Sequence, residues 1–362
     1  MNARNLDALS PGQKLTAGAS VLFTAVAAAA ELAGPHSVAT FALAAVALAA
    51  LAAVVGMAVE QVGEHISSNA TGLLHAALGN LPELLVGIFA LRAGLVDVVR
   101  AALVGSVLSN ILLVLGIACM AGGLRHGPQR FPGESPRMIG TLLTLAVAAL
   151  VVPTLAFRLH GLASHHVAAL SNITAVLLIV VYALSVPFML GGGLSTTPDE
   201  QYRAREPVRV WPLQLAVILL IVGSLGAAFV SDWFVNALEP AAKSLGLSTT
   251  FTGLVIVAIA SNAVENVGGV TFALKARPDY AVSTILTSPL QVALLLTPML
   301  VLFDRIVGTG HFTLVFPPLE VAVLAIATLV VVMVIFDGEY VWLEGAALVG
   351  LYCIIAAAFW WG

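Results

Sequence analysis

Apolar runs of about twenty residues recur along the chain, broken by short stretches of charge, proline or glycine, and each run is long enough to cross roughly 30 Å of hydrocarbon as a helix. This punctuation predicts about eleven spans, near 15–33, 37–59, 71–91, 100–121, 138–157, 167–190, 211–231, 251–274, 281–303, 318–336 and 341–361. The expected fold class is an all-α polytopic membrane protein. The first run follows a weakly basic start and has a small-residue stretch from Ala27 to Ala30, features shared with a cleavable signal peptide; an uncleaved helix is the preferred reading.

Composition agrees with the pattern. Of the 362 residues, 60% are hydrophobic and 9% charged, against roughly a quarter charged in soluble domains. A net charge of −4 with basic residues scattered among short loops gives no footprint for nucleic acid. The lipid bilayer is the expected surrounding, and an assembly of identical chains is left open. Cys119 and Cys353 fall inside apolar runs, where they read as small packing residues rather than a disulfide or metal ligands.

The longest polar connection, 191–210, carries Asp199, Glu200, Arg203, Arg205, Glu206 and Arg209 and divides the chain in two. Of the 15 Lys and Arg residues, ten (Arg4, Lys14, Arg125, Arg130, Arg137, Arg203, Arg205, Arg209, Lys275 and Arg277) fall on the amino-terminal side of the predicted membrane. The positive-inside tendency therefore puts the amino terminus in the cytoplasm and, with an odd number of spans, the carboxyl terminus outside, in a multi-pass cell-membrane protein.

Within the apolar runs, two carboxylates stand out. Glu83 follows Asn80 by three residues, and Glu265 follows Asn262 by the same step, 182 positions later. Ser106 lies 23 residues after Glu83 and Ser288 lies 23 after Glu265, with Ser109 and Gln291 in the same register. Such agreement without a gap reads as an internal duplication. The glutamates belong to the third and eighth predicted spans, so the two copies run through the membrane in opposite senses, an arrangement whose substrate site lies near the bilayer midplane at the repeat junction. Gly79, Pro82 and Gly87 loosen the first motif.

A carboxylate in a bilayer is expensive unless a cation, proton or polar partner accompanies it. On a helix, residues three apart share a face, so Asn80 with Glu83 and Asn262 with Glu265 each present an amide oxygen beside a carboxylate, and together they suit Ca2+, which takes six to eight oxygens. Ser106, Ser109, Asn110, Ser288 and Gln291 either complete that oxygen cage or bridge neighbouring helices by hydrogen bonds. Two ionised glutamates are neutralised equally by one divalent cation or two protons, and competition for the same carboxylates couples the two fluxes. Glu60, Glu64 and His65 between the second and third spans, and Asp232 and Glu239 between the seventh and eighth, read as solvated loop charges or as groups that gather cations at the mouths. His126, His160, His165 and His166 read as exposed loop residues, and Glu339, Trp342 and Glu344 as interfacial ones.

At these motifs the chain resembles the calcium/proton exchangers of the cation/calcium exchanger superfamily, whose halves each carry a Gly-Asn-x-x-Glu type signature. Residues 72–83 (GLLHAALGNLPE), 105–116 (GSVLSNILLVLG), 246–248 (GLS) and 337–345 (DGEYVWLEG) look like family sequence. The resemblance implies one peripheral helix in 1–36, a first five-helix repeat in 37–190, a cytoplasmic linker in 191–210 and a second, inverted five-helix repeat in 211–362. It also implies cation binding by Glu83 and Glu265, with Asn80 and Asn262 as the motif asparagines, no cofactor, and exchange of cytoplasmic Ca2+ for H+ by alternating access. The chain departs from the family pattern at Ser261, where Gly is usual, at Asn266, where His is usual, at Pro82, and at Thr287, Ser288 and Pro289 in place of a Gly-Ser pair. Because an amide cannot titrate, Asn266 leaves open a Na+-coupled or Na+/K+-transporting antiporter. An intramembrane enzyme lacks support, since neither a His-Glu-x-x-His pattern nor a convincing Ser/His/Asp set is present; a cation channel would share the acidic pore but has less use for paired inverted motifs.

Overall fold

The computed structural model describes residues 9–34, 37–65, 78, 80–131, 134–160, 162–190, 210–307 and 312–360. Among these the helices are α1 (Pro11–Ala33), α2 (Val38–Gly63), α3 (Leu81–Arg92), α4 (Val96–His126), α5 (Glu134–Arg158), α6 (Val167–Leu190), α7 (Leu213–Leu245), α8 (249–274), α9 (278–307), α10 (Pro318–Phe336) and α11 (Trp342–Trp360). Nine helices of the described residues are long and apolar enough to cross a membrane. Large apolar side chains such as Leu184 on α6, Val222 on α7 and Met333 on α10 are exposed on them, as expected where hydrocarbon is the solvent. The protein is an all-α, multi-pass membrane protein. The linker 191–209, residues 72–77, Gly79 and the side chains of Glu265 and Asn266 lie outside the described residues.

Helix ends follow local chemistry. Ser10 and Gln13 form a reciprocal capping box at the start of α1, and Ser37 caps α2 through the Thr40 amide; such caps are worth about 1 kcal/mol each. Gly246 ends α7 in the left-handed region at φ 66°, where Leu247 N–H reaches back to the Ala242 carbonyl at 2.9 Å, a Schellman closure. Ser248 then accepts the Phe251 amide to start α8 and donates to the Phe359 carbonyl at 2.7 Å.

The chain forms two compact units. The first contains the described residues of Met1–Ala93, Val186–Leu247 and Ala260–Val264. Its centre is α7 against α2, with α1 on α2 and α3 on α7. Gly223 and Gly226 let the helices close up, since a Cβ on either would stand 3.1 Å from Val55 or Leu51, and Phe41 stacks on Phe234 at 4.8 Å. Trp211 is buried at the entry to α7: its N–H donates to Gln61 Oε1 at 2.8 Å, its carbonyl pairs with His65 Nε2 at 2.7 Å, and its indole donates to Gln13 Oε1 at 3.3 Å.

The second unit contains Gly94–Ser185, Ser248–Ile259 and the described residues of Glu265–Gly362. Its helices meet through glycine. A Cβ on Gly105 of α4 would lie 2.0 Å from the Leu254 carbonyl of α8, and one on Gly253 of α8 would lie 2.8 Å from the Val98 carbonyl. Gly116 of α4 and Gly345 of α11 approach equally closely, the small-residue contact that lets membrane helices gain dispersion energy. A two-residue antiparallel pair, β1 (Gln129–Arg130) with β2 (Glu339–Tyr340), joins the α4–α5 and α10–α11 connections. Gly338, at φ 78°, makes the turn into β2 and accepts the Phe131 amide at 2.8 Å. Burial raises the Tyr340 hydroxyl pKa above its usual range, with Cys119 and Asp279 adding to the shift. The hydropathy pattern carried no sign of this strand pair.

Among the described residues, three π-helical turns interrupt the long helices: Ser109–Val114 in α4, Thr252–Val257 in α8 and Val292–Leu296 in α9. The offset of 182 residues carries Ser109 onto Gln291, so the turns of α4 and α9 occupy equivalent places in the duplicated register to within one residue. Such insertions recur at functional sites because they rotate the side chains beyond them and loosen the carbonyl ladder.

Candidate functional site

The first motif builds a helix start. Asn80 stands at the amino-terminal cap of α3 with φ −95° and ψ 21°, and its carbonyl accepts the Leu84 amide at 3.0 Å. Pro82 falls in the first turn, where its missing N–H leaves no bond unmade. Glu83 follows in that same turn, where the aligned peptide dipoles favour a negative charge. Asn80 therefore sits at the cap, one turn before Glu83. Both are buried, as is Asn262.

The second motif supplies the partners of Glu83. From α8, whose turn Ala260–Val264 belongs to the first unit, Asn262 Nδ2 donates to Glu83 Oε1 at 2.6 Å and Ser261 Oγ donates to the same oxygen at 3.2 Å. The Asn–Glu pairing thus runs between the two copies of the motif. The Glu265 side chain lies outside the described residues. The Asn262 contact is a polar tie between the motifs, of the kind that is about twice as strong when the carboxylate is ionised. Ser261 is the residue that sequence reasoning missed. It had been noted only as a departure from glycine, and that departure is the signal that could have found it.

The other candidates lie in the second unit. Ser106, Ser109 and Asn110 on α4 and Ser288 and Gln291 on α9 are all buried, on helices that pack against each other. The Ser106 carbonyl accepts the Ser109 hydroxyl at 3.1 Å and the Asn110 amide at 2.9 Å, bonds that brace the entrance to the π turn. Among the described residues no three His, Cys, Asp or Glu side chains gather in metal-ligating geometry, so the oxygen chemistry described here is carboxylate, amide and hydroxyl.

Three of the charges expected in connections lie in helices, while Glu64 and His65 follow the end of α2 as expected. Glu60 lies within α2, and Asp232 and Glu239 lie within α7, which runs to Leu245. On α7, Asp232 accepts from Asn236 at 3.3 Å and Glu239 pairs with Lys243 at 2.7 Å, exposed contacts worth at most about 1 kcal/mol. His126 bonds the Leu274 carbonyl at 3.0 Å. Cys119 is buried as expected, while Cys353 is exposed on α11. Glu320, in the first turn of α10, is buried to 1% exposure and had not been singled out.

Residues 36–191 and 215–361 match the family described as sodium/calcium exchanger protein. The chain is 35% identical to a Ca(2+)/H(+) antiporter of Synechocystis sp., the match covering 94% of this chain and 95% of that protein. It is 32% identical to the Ca(2+)/H(+) antiporter ChaA of Bacillus subtilis, over 88% and 91% of the two chains. The solved structure of native YfkE aligns with a TM-score of 0.80 at 30% identity, covering 95% of this chain and 99% of that one. Two acidic motifs joined at a buried carboxylate, on a fold shared with these relatives, make this chain a member of the sodium/calcium exchanger protein family.

Proposed function

We propose that this protein is a secondary antiporter that exports cytoplasmic Ca2+ in exchange for H+, with Glu83 and Glu265 as shared cation and proton sites and alternating access as the transport cycle. The observation that carries the reading is the buried Glu83 carboxylate held by Asn262 of the other motif. The ions come from the relatives, which are named as Ca(2+)/H(+) antiporters. Asn80 and Asn262 contribute amide oxygens, and Ser106, Ser109, Asn110, Ser288 and Gln291 line the route on α4 and α9.

The chemistry follows from charge. Two ionised glutamates in a medium of low dielectric are costly to carry across. One Ca2+ or two protons relieve that penalty, so reorientation is restricted to the loaded forms and each ion moves at the expense of the other. Asn262 moves aside or rotates to let a cation reach Oε1, because its amide N–H donates to that oxygen and would oppose a positive charge. In this reading the amino terminus is cytoplasmic and the carboxyl terminus external.

Reconstituted vesicles test the proposal. Ca2+ flux coupled to internal pH change, with Na+ and K+ supplied separately, is expected for wild type without sodium. Glu83→Gln and Glu265→Gln are each expected to abolish exchange while retaining a monodisperse elution profile. A strict sodium requirement would shift the counter-ion, and wild-type turnover in both variants would remove the glutamates from the site.

A further inference from the structure

We infer that the second unit binds the headgroup of a phosphoethanolamine lipid in an open cavity of about 300 Å3. Its lining comes from the start of α4, the end of α5, the start of α6 and residues 313–317 before α10. Each of these helices is long and apolar enough to cross a membrane, so their ends stand at the level of lipid headgroups. Residues 312–316 form a fixed wall. Phe312, Leu314 and Phe316 are buried, while Thr313 and Val315 between them line the cavity, the alternation of an extended chain. The Leu314 amide donates to Ser171 Oγ at 3.1 Å and the Phe316 amide to Thr154 Oγ1 at 3.0 Å, which ties the wall to α6 and α5.

Arg100 is held in place on this wall. It donates to Asp97 Oδ1 at 3.1 Å and to Thr313 Oγ1 at 3.5 Å, and its guanidinium carbon stands 5.8 Å from the Phe312 ring centroid. Its charge is balanced by Asp97 and by the buried Glu320 of α10. Arg158, exposed in the last turn of α5, lies 6.0 Å from the Phe157 ring centroid and meets no carboxylate among the described residues. Arg158 is thus the uncompensated cation of the cavity, and a guanidinium takes a phosphate through paired N–H bonds. Asp97, with a side chain 78% exposed, keeps acceptor sites beyond the one Arg100 uses. A primary ammonium beside the phosphate donates to them, whereas a headgroup without an amine sets a negative group against Asp97, and a choline headgroup has no N–H to give. Exposed Val152 and Leu155 on α5 and Ile173 and Val176 on α6 carry apolar surface away from the cavity toward the middle of those spans, where acyl chains lie. That surface favours a lipid over free phosphate.

Native mass spectrometry of the full chain in detergent tests the site, with phosphatidylethanolamine, phosphatidylglycerol and phosphatidylcholine of identical acyl chains titrated separately. Wild type is expected to bind phosphatidylethanolamine about fivefold to tenfold more tightly than the other two, the worth of one hydrogen bond to a charged group. Arg158→Gln, which removes a phosphate contact common to all the lipids, is expected to weaken each by a similar factor. Asp97→Asn is expected to weaken phosphatidylethanolamine alone and to leave phosphatidylglycerol within about twofold of wild type. Both changes fall on exposed side chains, and an unaltered unfolding midpoint without added lipid checks that the fold is kept. Arg130→Gln, on the β1 strand at the other end of α5, should bind as wild type does. Equal binding of the lipids by wild type, unchanged binding by Arg158→Gln, or a loss in Asp97→Asn shared by phosphatidylglycerol would overturn the assignment, as would displacement of the lipid by millimolar inorganic phosphate, the mark of a free-anion site. None of these readouts involves ion exchange, so the outcome is independent of the proposed function.

Discussion

At the scale of single residues, a buried amide ties the second motif to the first. Asn262 reaches Glu83 Oε1 at 2.6 Å and is 2% exposed. An apolar replacement of similar size would withdraw a donor from a buried carboxylate and return none, a loss of about 2–3 kcal/mol. Asn262→Leu is therefore expected to lower the midpoint of thermal unfolding in detergent, whereas a substitution on an exposed helical face, such as Met333→Leu, should leave it within a degree or so. An unchanged midpoint for Asn262→Leu would mean that the contact contributes nothing net. The residue types at the motif were legible in the sequence because carboxylates and amides are rare in apolar runs. Their pairing was not legible: spacing reports neighbours on one helix, and the partner of Glu83 lies 179 residues away in sequence. Ser261 escaped for a related reason, since a serine in a membrane helix is ordinarily satisfied within its own helix.

At the scale of elements, glycine contacts set how closely helices approach. Gly105 and Gly253 seat α4 and α8 backbone to backbone, and a methyl group at Gly105 has the Leu254 carbonyl 2.0 Å away with no flexible side chain to yield. Gly105→Ala is expected to destabilise by about 1–3 kcal/mol or more, as overpacking does. Gly350→Ala on α11, where nothing lies within 4 Å, should instead be neutral or stabilising by up to about 1 kcal/mol, because alanine is the better helix former. Thermal unfolding of the two variants side by side measures the difference. Helix boundaries were legible where proline or charge stops an apolar run: α6 and α10 begin and end where hydropathy placed them. They were not legible where a helix outlives its apolar stretch, as α7 does by continuing through Asp232 and Glu239 to Leu245. The π turns left no mark in periodicity, because one inserted residue shifts phase in a run that is apolar on every face.

At the scale of the whole molecule, the distribution of charge across the membrane decides which face of the protein meets the cytoplasm. The span reading of the sequence puts ten of the 15 basic residues, named above, on the side of the amino terminus, and three consecutive helices, α6, α7 and α8, separate His160 from Lys275. If each crosses the bilayer once, those two exposed positions must lie on opposite faces, and the positive-inside bias assigns Lys275 to the cytoplasm. In a background carrying Cys119→Ala and Cys353→Ala, a membrane-impermeant maleimide is expected to label His160→Cys in intact cells and Lys275→Cys only after permeabilisation. The reverse pattern would invert the molecule and put the amino terminus outside, while the ion gradients would still set the direction of net exchange. Labelling of both positions from outside would mean that α6, α7 and α8 make an even number of crossings. The duplicated motifs would then run in the same sense, and the charge-balance mechanism would lose the inverted symmetry on which alternating access between two equivalent faces is built.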